Sequence, residues 1–454
     1  MRRFQGCQEI TGDEICWSLL CQDILTHPGL RKITLHEAAT YDDRGLSGFN
    51  GDLLTQVFAK MDEIEIHRLS CLWPQGPKVG PVEVAVTRCV VDAILSRPDN
   101  LKKLVLKNVV YKEPFFATHI DPVVSPRLAS ALNKVEVLEV ELLAPEVNLL
   151  LKAMMENETS VTSLSLSGQL VLSQLEPAYL FGVFDKVKEL WVVNDSSRFI
   201  PPRLDLVTTL CEKVAMGTGM RKLTLQGFHD LSLVDRSTLS TMVTKLEELT
   251  LHDFKRGPTF SRDDLVTIIT AIATIETSNM KKIFLYIDLR SIDCSLLANM
   301  ATKVEHLGLQ CAMEEEQLRA IFEAVAAWPG KLKWLAVSGR SSLHRLDADI
   351  LASTVCNLEC FDCWEGFVTV HQAEKILRMA LKSTTLRRLI FWVQDYTSNL
   401  DPLVKEVEAK IPHTHVEGYV AYSDSDSDSV SDSESDLDYE YESDLDQTSE
   451  SDVD

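Results

Sequence analysis

Leu246-Glu-Glu-Leu249-Thr-Leu251 opens the stretch that decides the architecture of this chain. Its period-2 alternation puts Leu249 and Leu251 on one face of a short strand. After a loop, Ser261-Arg-Asp-Asp264 reads as a helix N-cap with an acid three residues on. Leu265, Ile268, Ile269 and Ile272 then fall at i, i+3, i+4 and i+7, one apolar helix stripe. The stripe returns as Leu318, Ile321, Phe322 and Val325 before Pro329-Gly330, and again as Ala373, Ile376, Leu377 and Ala380. Burying one Leu or Ile contributes about 1.5–3 kcal/mol, whereas ordering each residue costs about 1–2 kcal/mol of backbone entropy. A lone strand-turn-helix unit cannot meet that cost, so units must stack.

The pattern L-x-x-L-x-L, with Val, Met, Ile or Phe allowed, opens at Leu30, Met61, Leu101, Val135, Val161, Val187 and Met220. It recurs at Leu246, Met280, Val304, Leu332, Leu358 and Leu386, and a degenerate copy opens at Val416. Period-2 strands alternating with 3.6-period helices predict an α/β solenoid, its parallel strands lining a concave face and its helices outside. A two-unit period lies above the first. Basic strand openings (Arg31-Lys32, Lys102-Lys103, Arg221-Lys222, Lys281-Lys282, Arg387-Arg388) alternate with acidic ones such as Asp62-Glu63 and Glu247-Glu248. A short helical form, as in residues 292–302, precedes acidic strands, and a longer one, as in Glu315–Val325, precedes basic strands.

With its two-unit alternation the chain resembles the ribonuclease-inhibitor-like class of leucine-rich repeats, arrays of which also form the sensing half of NOD-like receptors. The resemblance implies a horseshoe of about 13–14 repeats over residues 30–420 and a non-catalytic, protein-binding role. The chain departs from the pattern after the strand, where Ala38, Leu69, Val109, Leu143, Phe228 and Phe254 stand near the expected Asn or Cys, so an irregular solenoid is expected.

The net charge of −23 is unevenly spread. Residues 421–454 hold 14 Asp/Glu and no base, so the rest carries 68 − 14 = 54 acids against 45 bases, a net of −9. That body offers no basic footprint for nucleic acid. The tail is too charged to fold on itself and reads as disordered. Nine of its serines have an acid three residues on, as acidophilic kinases prefer: Ser423, Ser425, Ser429, Ser431, Ser433, Ser435, Ser443, Ser449 and Ser451. Residues 1–29 read as an N-terminal helical cap, with Ile15, Leu19, Leu20 and Ile24 covering the first repeat. Asp401–Ala421 is expected to cap the other end. Prolines in Ser70–Val82, Tyr111–Arg127 and Asn194–Arg203 mark loops on the rim.

Acids interrupt every apolar stretch near the N-terminus, and no run of about 18 apolar residues occurs. With 11 scattered cysteines this suits a reducing, cytoplasmic or nuclear setting without membrane contact. Cys360-Phe-Asp-Cys363 lies on a strand, where residues three apart face opposite ways, so no metal or redox site is expected there. Walker, dinucleotide-binding, nucleophile-elbow and zincin motifs are absent; no cofactor and no enzyme activity are expected.

Positions 2, 3, 5 and 7 of each unit should face the concave side. The charges at positions 2 and 3 alternate in sign between neighbouring strands, as for Lys282 between Glu248 and His306, which stabilises a sheet. The aromatics Trp191, Phe284, Tyr286, Trp334, Trp364 and Trp392 occupy positions 3, 5 or 7 and should be exposed, forming a candidate protein-binding patch. The reading is a monomeric scaffold or adaptor that grips a protein ligand there. One alternative is an acidic-tail chaperone of basic proteins, similar to the acidic leucine-rich nuclear phosphoproteins. A lower-ranked one is a GTPase activator similar to the Ran GTPase-activating protein, whose Asn-Gly-rich loops are not found here.

Overall fold

The computed structural model describes residues 9–12, 17–27, 29–36, 50–67, 81–107, 125–141, 144–167, 175–193, 204–217, 219–226, 231, 233–252, 260–274, 279–310, 313–338 and 343–419. The acidic tail with its nine candidate serines lies outside the described residues, as do most of the three Pro-bearing connections. Among the described residues, no helix is long and apolar enough to cross a membrane.

Among the described residues, fifteen strands form one open sheet in strict sequence order. They are β1 Glu9–Gly12, β2 Lys32–His36, β3 Glu63–His67, β4 Leu101–Lys107, β5 Val135–Glu141, β6 Ser163–Ser167, β7 Glu189–Val193 and β8 Lys222–Gln226. The second half contains β9 Glu248–His252, β10 Lys282–Tyr286, β11 His306–Gln310, β12 Trp334–Ser338, β13 Cys360–Val368, β14 Arg388–Gln394 and β15 His413–Tyr419. All neighbours are parallel, and one register runs through the array: Ile283 faces Leu249 and Leu307, and Leu335 faces Phe361. Helices follow the strands and pack helix against helix as a second layer, such as Arg262–Thr274, Cys294–Ala301, Glu315–Ala327, Ala348–Cys356 and Val370–Ala380. Neighbouring strands sit about 4.7–4.9 Å apart, whereas packed helices need about 8–10 Å. The mismatch bends the two layers into an arc with the sheet inside, the leucine-rich-repeat solenoid.

The thirteen expected unit openings from Leu30 to Leu386 are core residues. A bifurcated ladder sets the register one residue later. The Glu247 carbonyl accepts from the Lys281 and Lys282 amides (2.8 and 3.0 Å), and the Lys281 carbonyl from the Glu305 and His306 amides (2.8 and 3.0 Å). The same pair of bonds recurs at Glu305, Lys333 and Glu359. Leu265, Ile268, Ile269 and Ile272 are buried, as are the other two stripes, and Ser261 Oγ accepts from the Asp264 amide (3.2 Å) as an N-cap.

The two ends differ from expectation. The segment 1–29 is more than a helical cap: besides the helix Trp17–Thr26 it supplies strand β1, paired in register with β2. At the other end the last unit opens at Ile411, not Val416. His413 pairs with Arg388 and Val416 with Phe391, so Val416 is the sixth residue of its unit and Ile411, buried in the core, is the first. Pro412 and the polar Thr414 at the fourth position, where other units have an apolar residue, hide that opening in the sequence.

The two-unit period is built into the polar core. Short helices start on aspartate caps at Asp235, Asp293 and Asp347, each preceded by a turn that begins at Leu231, Leu289 or Leu343. Two later helices, Glu315–Ala327 and Val370–Ala380, answer with a glutamine at the third helical position, where Arg262–Thr274 has Asp264. Gln317 Nε2 donates to the Leu289 and Ile292 carbonyls (2.8 and 2.6 Å), and its Oε1 accepts from the Glu314 amide (2.9 Å). Gln372 repeats this with Leu343 O (2.9 Å), Leu346 O (2.7 Å) and the Thr369 amide (2.8 Å). Each glutamine locks its own helix start to the turn of the preceding unit.

Candidate protein-binding face

Alternation along each strand divides the sheet into two faces. Positions 4 and 6 enter the core, and positions 3, 5 and 7 form the open face, as the burial of β8, β9 and β10 shows residue by residue. Most of the charges on this face answer one another. Lys103 Nζ lies between Glu65 (3.0 Å) and Glu139 (3.4 Å), and Lys222 pairs with Glu189 at 2.6 Å. At position 2, Lys281 pairs with Glu247 (2.8 Å) and Lys333 with Glu305 (2.6 Å). Burial opposes ionisation of Glu65, yet Lys103 and Lys32 outweigh it and hold the carboxyl below its ordinary value. Glu247 and Glu305 are lowered chiefly by the hydrogen bonds from Lys281 and Lys333. Charge alternation here is sheet cement, and it leaves the aromatics as the distinctive chemistry of the face.

Five of the six aromatics have described side chains. Trp191 on β7 is 44% exposed, flanked by Ser165 of β6 and Thr224 of β8. It stands three strands, roughly 14 Å, from β10, apart from the others. Phe284 and Trp334 touch, with centroids 5.3 Å apart, although their strands are separated by β11. Gly308 on β11 makes this possible: a Cβ there would stand 2.5 Å from Phe284 Cδ1. The ring therefore lies across β11 towards Trp334. His306 adds a second contact to Trp334 at 5.9 Å, and Tyr286 packs on His252 at 4.9 Å.

Trp334 is also tethered on its far side. Its Nε1 donates to Asp362 Oδ2 (3.0 Å) while Arg388 Nε donates to Asp362 Oδ1 (2.7 Å). Asp362 is buried beneath this pair, so a single network runs from Phe284 on β10 to Arg388 on β14. Trp392 on β14 meets His415 edge-on at 6.5 Å, and its Nε1 is buried. What is described of Trp364 is its backbone, opposite Ser338; a register shift follows between Asp362 and Phe367.

The expectation that all of these rings stand exposed is therefore corrected. Phe284, Tyr286, Trp334 and Trp392 are half-buried, because they lie on one another, on Gly308 and on neighbouring histidines. Burial pushes Tyr286 above its ordinary pKa, while burial first and then Lys282 hold His306 below its own. His252, His306, His415, Gly308 and Asp362 were not singled out as site residues from the sequence. Their signal was the shared register of positions 3, 5 and 7, read across units rather than along them. Cys363 is in the core and Cys360 is on the open face, and among the described residues no group of His, Cys, Asp or Glu is arranged to hold a metal ion.

Gly308→Ala should push the Phe284 ring off Trp334, at a cost of about 1–3 kcal/mol for the overpacking. The check is the Trp334 indole resonance, which should move with loss of the ring contact while the strand register stays unchanged.

No family model matches this sequence, and no curated protein matches it. Among solved structures the chain is similar to the leucine-rich repeat-containing protein LegL7 from Legionella pneumophila, with 16% identity, 71% of this chain and 96% of that one covered, and a TM-score of 0.35. It is similar to an internalin (inlF) from Listeria monocytogenes at 14% identity, covering 81% and 89%, with a TM-score of 0.35. A chain of the mouse RP105/MD-1 complex matches at 11% identity over 86% and 74%, with a TM-score of 0.29. The leucine-rich-repeat architecture of this chain rests on its own evidence, the fifteen-strand parallel ladder of the described residues with an apolar register that shifts only between β13 and β14.

Proposed function

We propose that the protein is a non-catalytic interaction scaffold whose open sheet face, between β9 and β14, binds a protein ligand. The observation that carries this reading is the tethered aromatic platform of Phe284, Trp334 and Tyr286, held by Gly308, His252, His306 and Asp362. Rigid aromatic rings supply large contact area at low entropic cost and dominate binding hot spots. The hydrogen bond from Trp334 to Asp362 fixes the indole before any partner arrives, which lowers the cost of binding. Around it the charges are already satisfied within the sheet, so recognition should tolerate salt.

Trp334→Ala should weaken capture of the ligand by about 2 kcal/mol or more, roughly 30-fold. The check compares what the full chain, this variant, a Trp328→Ala control and a truncation ending at Ala421 retain from native extract. Trp328 is 74% exposed at the end of a helix on the other face, so its loss should change nothing. Capture that survives Trp334→Ala but vanishes with the tail would replace this reading by the acidic-tail chaperone of basic proteins. Accelerated GTP hydrolysis by a small GTPase would replace it by the activator.

A further inference from the structure

The helices run antiparallel to the strands, so all helix C-termini and all strand starts share one rim of the solenoid. Helix C-termini expose carbonyls and carry a partial negative charge. Lysines from the next unit answer them. Lys60 Nζ donates to the Ile24 and Leu25 carbonyls (3.0 and 3.1 Å), Lys186 to Met154 O and Asn157 O (both 2.7 Å), and Lys410 to Ser383 O (2.8 Å). The opposite rim holds the helix N-termini and takes the acids, with caps at Asp235, Asp293 and Asp347 and first-turn residues Glu315 and Glu316. The two rims thus differ in net charge, although Arg236, Arg290 and Arg345 pair with acids on the second.

On the basic rim the carboxylates of Glu189, Glu247, Glu248 and Glu305 are already paired, with Lys222, Lys281, Lys282 and Lys333. Lys213, Lys245, Lys303, Lys331, Lys382 and Arg387 have no ion-pair partner among the described residues. They follow one another along the rim from the unit of β8 to that of β14. Asp185, Glu212, Glu359 and Glu408 share this rim and reduce its charge without balancing it.

We propose that this basic rim is the docking track of the chain's own acidic tail, residues 421–454. The tail carries 14 acids and no base and starts two residues after the end of β15, on the opposite rim, so it first crosses the width of the last unit, roughly 23 Å, to reach Lys382 and Arg387 at the strand starts. Its 34 residues reach up to about 110 Å when extended. The track from β8 to β14 spans roughly 30 Å along the strands and 60 Å along the helices. Acids at 424, 426 and 428 share one side of an extended chain, about 7 Å apart. A single exposed ion pair contributes little, but a tethered row acts together and weakens with salt. Phosphorylation of the nine serines adds about −1.5 to −2 charges each and tightens the contact.

The test is zero-length carbodiimide cross-linking of the full chain at low and high salt, with the joined peptides mapped. The expected result is tail carboxylates joined to Lys303, Lys331 and Lys382 within monomers, in a yield independent of protein concentration and several-fold lower at high salt. Lys303→Glu, Lys331→Glu and Lys382→Glu together should also release the tail from Lys213 and Lys245. Cross-links spread evenly over the lysines of all faces, or a yield that grows with concentration because the tail reaches a second copy, would overturn the proposal. The wild-type map decides this even if the triple variant does not fold.

Discussion

Gln372→Leu should lower the stability of the chain by about 3 kcal/mol, because the substitution strands two backbone groups and takes one of two donors from a third. The Leu346 carbonyl loses its donor and the Thr369 amide its acceptor, while the Leu343 carbonyl keeps only the Leu346 amide. Each buried group left unsatisfied costs about 1–3 kcal/mol, and the apolar surface that leucine adds offsets only part of the sum. The urea midpoint should fall, and hydrogen exchange should accelerate first at residues 343–346 and 369–372. Gln317→Leu should do the same at Leu289 and Ile292. Gln372→Glu separates this account from simple loss of packing. A carboxylate facing two carbonyls is disfavoured, so its folded-state pKa would rise, and the stability it retains would be greatest at low pH and lost as pH climbs through that value. Leucine at the same place should show no such pH dependence. A Gln372→Leu chain as stable as wild type would remove the glutamine from any part in joining the units.

That lock marks a boundary in what the sequence makes legible. Strand openings from Leu30 to Leu386 follow from period-2 alternation, because each is decided by residues within six positions of one another. The helix stripes are equally local. Gln317 sits next to Leu318, outside the apolar stripe, and its own helix offers it only the Glu314 amide; the carbonyls its nitrogen bonds belong to residues 25 and 28 positions earlier. The binding face has the same problem. Phe284 and Trp334 could be placed on the open face from their parity alone. Their contact depends on the missing side chain of Gly308 and the tether of Trp334 on Asp362, each in a different unit. Full exposure was expected of the rings because parity says which face a side chain leaves from, not where it comes to rest. The end units were obscured for another reason. At Ile411 and in β1 the polar neighbours of a terminal unit dilute the apolar pattern that marks internal ones.

Phe361→Ala should cost about 3–5 kcal/mol, and it should divide the unfolding of the solenoid in two. Phe361 is the fourth residue of its unit, fully buried on β13, and its ring meets Phe322 of the preceding long helix edge-on, with centroids 6.4 Å apart. Each unit of a solenoid is stabilised only by its immediate neighbours, so a cavity at one junction weakens that junction rather than the whole array. Residues 386–419 have further units on one side only, and the lost contact lies on the path that joins them to the rest. Their amides should therefore exchange before those of residues 187–310, which keep intact neighbours on both sides. Phe361→Leu should recover most of the loss, because it restores much of the volume without the edge contact. A single transition, with both segments exchanging together, would mean that coupling reaches beyond nearest neighbours. In that case the aromatic platform spanning β9 to β14 would itself carry stability across units, and substitutions at Trp334 would have to be read for folding as well as for binding.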